Sequence, residues 1–108
     1  MSNLIKLNKL DNHHKSTVEI IVEVSRMILT IKNYLSFKND VYIDDLISIW
    51  KSGIIDDWWF NKVPLFSEVR QIMDDIINGN LKKLDILKSK LESIKPILIN
   101  ILLTKEDN

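Results

Sequence analysis

The chain has 108 residues, 45% hydrophobic and 28% charged, which suits one packed core, leaves no room for two, and excludes a chain kept disordered by charge. Fifteen basic side chains balance fifteen acidic ones, so the strongly basic footprint usual for nucleic-acid binding is missing. With no cysteine, disulfides, thiolate metal sites, iron–sulfur clusters and a cysteine nucleophile are all excluded.

Only two glycines and two prolines punctuate the sequence, too few turns for an all-β domain. The expected fold is all-α: a small antiparallel bundle of four main helices, the last kinked at Pro96. Its expected organisation is an N-terminal arm over residues 1–12, one helical-bundle domain over 13–104 and a short tail over 105–108. In the arm, Leu4, Ile5, Leu7 and Leu10 alternate irregularly with lysines and asparagines, which predicts partial order. Asp11 or Asn12 offers a side-chain acceptor for the free N–H groups of the first helical turn. That helix is predicted from about His14 to Leu35. Ile20, Ile21, Val24, Met27, Ile28, Ile31, Tyr34 and Leu35 recur at three- and four-residue steps, opposite Glu19, Glu23, Arg26, Thr30 and Asn33. Val22 and Leu29 fall off this stripe, which predicts a central helix enclosed on more than one side.

Asn39-Asp40 marks a loop and cap, and Asp44 and Asp45 suit the positive end of a second helix. That helix spans about Val41 to Ser52, presents Ile43, Leu46, Ile47 and Trp50 on one face, and stops at Gly53. Residues 54–62 are the least regular stretch, with one helical turn predicted around Asp57-Trp58-Trp59-Phe60. Pro64 opens the next helix at no hydrogen-bond cost. Leu65, Val69, Ile72, Met73 and Ile76 form its apolar face, and Asn78-Gly79-Asn80 closes it, leaving Asn80 to cap the last helix. There Leu84, Leu87, Leu91, Ile94, Leu98 and Ile101 alternate by three and four, a heptad seam that faces a partner helix. Pro96 removes one backbone bond, at about 3 kcal/mol in a helix interior. Because the heptad phase persists across it, one kinked helix is predicted and not two. Beyond it Ile97, Leu98, Ile99, Ile101, Leu102 and Leu103 are apolar nearly all round, which predicts either a deeply buried end or an oligomer contact.

Catalytic and metal signatures are weak. Asp44-Asp45, Asp56-Asp57 and Asp74-Asp75 are adjacent pairs, and adjacent helical residues diverge by about 100°, whereas a helical carboxylate site needs three- or four-residue spacing. Glu19 and Glu23 have such spacing, but no Glu-x-x-His follows. With Lys15 and Arg26 nearby they read as surface ion pairs. His13-His14 likewise diverge, with no third ligand fixed by spacing. No phosphate-cradling glycine loop or nucleophile elbow is present. No catalytic residue, metal or cofactor is expected.

Charge is distributed unevenly. Residues 1–38 carry six bases against three acids, residues 40–75 three against eight, and residues 80–95 five lysines against two acids. This pattern fits either internal complementarity or a binding surface. All eight aromatic residues lie within 34–66, in the same acidic region. Tryptophan dominates binding hot spots, and Trp58 and Trp59, being adjacent, point in different directions. The favoured expectation is therefore a non-enzymatic protein–protein interaction module that binds a protein partner through Asp56, Asp57, Trp58, Trp59 and Phe60. The competing reading of these aromatics is as filling for the corner where short helices cross long ones. The absence of alanine and the abundance of Ile, Leu, Lys, Asn and Asp suggest an AT-rich genome. An inhibitor or immunity-type factor of microbial, phage or viral origin fits that composition. A second expectation is a helical nucleic-acid-associated protein using Lys82, Lys83 and Lys90, and a third is a homo-oligomeric structural subunit joined through the Leu84 to Ile101 seam. No signal-like apolar start and no apolar run near the roughly 20 residues of a bilayer span are present, so the expected location is the cytoplasm, without a membrane partner.

Overall fold

Local signals start and stop five helices in the computed structural model, which describes residues 14–104. They are α1 (Thr17–Phe37), α2 (Val41–Lys51), α3 (Asp57–Lys62), α4 (Leu65–Ile77) and α5 (Leu84–Thr104). The expected arm over 1–12, with its candidate caps Asp11 and Asn12, lies outside the described residues, as do His13 and the tail. The cap of α1 is instead Ser16. Its hydroxyl accepts from the Glu19 N–H at 3.3 Å while the Glu19 carboxylate accepts from the Ser16 N–H at 3.0 Å. This reciprocal box satisfies two N–H groups that the first turn leaves without helical partners.

At the other end of α1, Lys38 turns left-handed (φ 54°) and its N–H donates to the Tyr34 carbonyl at 2.7 Å. Asn39 then caps α2, its Oδ1 accepting from the Val41 N–H at 3.0 Å, while the Asp40 side chain makes no cap bond. Gly53 (φ 77°) follows α2, as its freedom at positive φ allows. Helix α4 ends in a Schellman turn: Gly79 adopts φ 93°, its N–H donates to Ile76 O at 2.9 Å, and the Asn80 N–H donates to Asp75 O at 2.8 Å. The Asn80 side chain accepts from the Lys82 N–H at 3.0 Å. It thus caps the turn that leads into α5, not α5 itself.

The four long helices close a ring in which α1 packs on α2 and α5, and α4 packs on the same two from the other side. Helix α3 packs on α4. The predicted heptad of α5 faces inward throughout: Leu84, Leu87, Leu91, Ile94, Leu98 and Ile101 are all buried, in one core with Ile20, Val24, Met27, Ile31, Leu46, Phe66, Val69 and Met73. Helix α5 runs without interruption through Pro96. The proline sits on the exposed side of the helix, where water can take the Glu92 carbonyl it leaves unbonded. Two ion pairs, Asp75 of α4 with Lys83 just before α5 at 3.8 Å and Glu68 of α4 with Lys90 of α5, join these antiparallel neighbours.

Three expectations need correction. Val22 and Leu29 are 51% and 58% exposed, so α1 is not enclosed on a second side: its two ring neighbours leave its outer face to solvent. Among the described residues beyond Pro96 only Leu98 and Ile101 are buried, while Ile97, Ile99 and Leu103 are exposed, Leu103 by 74%. Of the two expectations for this apolar end, the deeply buried one is overturned, since burial follows one stripe only; the oligomer contact is not. Glu23 is not a surface residue; it is 4% exposed, with its carboxylate 3.1 Å from the Arg26 guanidinium. A buried carboxylate is tolerated when a cation one turn away reaches it from the surface. No helix among the described residues is long and apolar enough to cross a membrane.

Candidate functional site

Between α2 and α4 the chain turns a corner, and six residues of helix there carry three of its eight aromatic side chains. Asp56 starts α3 by accepting from the Trp59 N–H at 3.3 Å, which fixes the register of Trp58, Trp59 and Phe60. Successive helical side chains diverge, and the corner sends these three to different places.

Trp59 goes inward. It is fully buried, and its Nε1–H donates to the Lys15 carbonyl at 2.9 Å, which satisfies the one polar group of a buried indole. Trp58 goes outward and stays 37% exposed. Its ring lies parallel to that of His14, centroids 3.8 Å apart and planes within 4°, and its edge meets Trp59 at 4.9 Å. The Lys62 ammonium lies 5.7 Å from the Trp58 ring centre, within cation–π range. Phe60 is half-buried in edge-to-face contact with Trp50 and Phe66, and the Arg70 guanidinium lies 4.1 Å over its ring. The two tryptophans therefore grip the segment before α1 from two sides, one by a hydrogen bond and one by a stack.

Of the five residues expected to bind a partner, Asp57 and Trp58 reach solvent, while Asp56 and Phe60 are partly covered and frame them. Trp59 is corrected: with no exposed surface it belongs to the core and cannot touch a partner of the folded protein. His14 joins the site instead. Nothing in the sequence around it signals this, since its partner lies 44 positions along the chain. At the start of α1, Glu19 has its pKa held below the ordinary value by hydrogen bonds to the Ser16 backbone and then its side chain, with a smaller contribution from the Lys15 charge, against opposing desolvation.

The lysines of the nucleic-acid expectation do not form an open strip. Lys83 and Lys90 pair with the acids of α4, and Lys82 stands on the turn before α5. Part of the uneven charge along the sequence is thus complementarity inside the fold. Among the described residues no group of three or more histidine, cysteine or acidic side chains is placed to hold a metal ion. No protein-family model, curated protein or solved structure matches the chain.

Proposed function

We propose that this protein is a non-enzymatic protein-interaction module acting in the cytoplasm, and that it meets its partner at the α3 corner with Trp58 at the centre. The observation that carries this reading is an exposed tryptophan held in one orientation by the His14 stack. A large aromatic surface that is already immobilised loses little entropy on binding, which is why rigid tryptophans dominate interface energetics. Asp57 beside it favours a partner with a cation at the rim. An inhibitor or immunity-type factor of a microbe, phage or virus fits this reading, because such proteins act by binding alone.

Trp58→Ala tests the proposal. The variant should keep its helical circular dichroism and cooperative unfolding, losing about 1 kcal/mol of stacking, while a partner captured by the native chain from source lysate is no longer retained. Retention of the same partner by the folded variant removes the corner from the interface. A homo-oligomeric subunit is the second reading; the Leu84 to Ile101 seam expected to join it is buried inside the fold, so its support is instead the exposed Ile97, Ile99 and Leu103 on α5 and Val18, Val22 and Leu29 on α1. It requires a light-scattering mass that rises with concentration.

A further inference from the structure

We propose that the crevice between the start of α2 and the end of α4 is a second docking groove, made for a cationic amphipathic helix of another protein. This surface lies at the opposite end of α2 and α4 from the α3 corner, and the proposal does not depend on what that corner binds.

Of the four seams of the ring, the one between α2 and α4 is the least extensively packed. It leaves a groove of about 310 Å³ whose lining includes Ile47, Ile77 and Leu81, all only half-buried, above the core residues Ile43 and Ile76. The groove continues along α2 past the shared residues Asp44 and Ile47 to Lys51. Apolar surface left open in this way is free energy available to a ligand that covers it.

Charge decides the kind of ligand. Asp40 and Asp44 stand on the rim, and no lysine or arginine lines this part of the groove. The ion pairs among the described residues include neither carboxylate. Asp40 is not used as a cap either, because Asn39 does that work. Helix α4 ends at the same place, with Gly79 in the lining, and a helix C-terminus adds negative potential. The position of Asp40 at the N-cap and Asp44 in the first turn of α2 explains why they are tolerated there, but not why an apolar floor lies open beneath them. Nucleic acid and acidic peptides are repelled by this rim. Asp40 and Asp44 are one helical turn apart, so the matching ligand carries two lysines or arginines one turn apart beside a leucine or isoleucine face, the helix-in-groove mode of recognition.

The test uses the full chain and two synthetic helical probes, a leucine–lysine amphipathic peptide and the same peptide with glutamate in place of lysine, titrated by fluorescence anisotropy at low salt. The lysine peptide should bind and the glutamate peptide should not. Asp40→Asn with Asp44→Asn should weaken binding roughly tenfold, the loss of two rim ion pairs, and Ile77→Lys should abolish it by placing a cation in the floor. Asp85→Asn with Glu92→Gln, which removes the same charge from the outer face of α5, should leave the affinity unchanged. Each variant is first shown to retain its helical circular dichroism. Equal weakening by both double variants, undiminished binding to the Ile77→Lys chain, or no binding of the lysine peptide overturns the proposal. So does a dimer mass that Asp40→Asn with Asp44→Asn abolishes, since that would seat a second copy in the groove.

Discussion

Along α5 six side chains of similar size repeat at regular steps, all buried and each backed by the next. At the α3 corner a six-residue helix buries one side chain, Trp59, whose indole is hydrogen-bonded to the segment before α1. The seam divides its burial among interchangeable parts, and the corner concentrates it in one. Regular packing is thus read from spacing, whereas concentrated packing depends on where one residue is carried by the rest of the fold.

The largest expected effect on this contrast comes from Trp59→Ala. Removing a fully buried indole should cost about 3–5 kcal/mol in urea unfolding, and the Lys15 carbonyl loses its partner as well. Trp59→Phe keeps most of the ring but leaves that carbonyl unpaired, which should cost about 1–3 kcal/mol. If Trp59→Ala costs under 1 kcal/mol, the corner is not concentrated and the comparison fails. Leu91→Ala in the middle of the α5 seam comes next, at about 3 kcal/mol, because a regular seam relaxes partly around a truncated member. A loss there larger than at Trp59 reverses the contrast.

The smallest effect concerns the anchor that Trp59 grips. Because the Glu19 pKa is lowered in the folded state, its ionised form contributes stability that is present above the pKa of an unfolded glutamate and lost as pH falls through the lowered value. Glu19→Gln removes this titration. The native chain should be the more stable at neutral pH, and the two unfolding midpoints should converge in acid. A gap that persists unchanged into strong acid shows that the ionised capping box is not its source.

How far the sequence discloses the molecule follows the same division. The heptad of α5, the stop at Gly79 and the turn of helix around Trp58 are local properties, and each stands where spacing and turn chemistry put it. The capping box was legible too, as Ser16 and Glu19 in Ser-x-x-Glu spacing, but the asparagine and aspartate upstream compete with it as candidate caps. Glu23 was not legible: its place among polar neighbours pointed outward, yet in the fold it is buried. The stack of His14 on Trp58, the burial of Trp59 and the exposure of Val22 and Leu29 depend likewise on which helices become neighbours. The candidate site was therefore half visible, its aromatic composition in the sequence and its orientation only in the fold.

The acceptor for the Trp59 indole is a main-chain carbonyl, and that has a consequence for how the chain can drift. Every residue type at position 15 supplies the same oxygen, so the tie tolerates replacement of Lys15 but not of Trp59. Selection on this contact should act at one end only. Relatives of this chain would then show an invariant tryptophan facing a freely varying position, and a search for correlated substitutions would pass over the bond that fastens the corner.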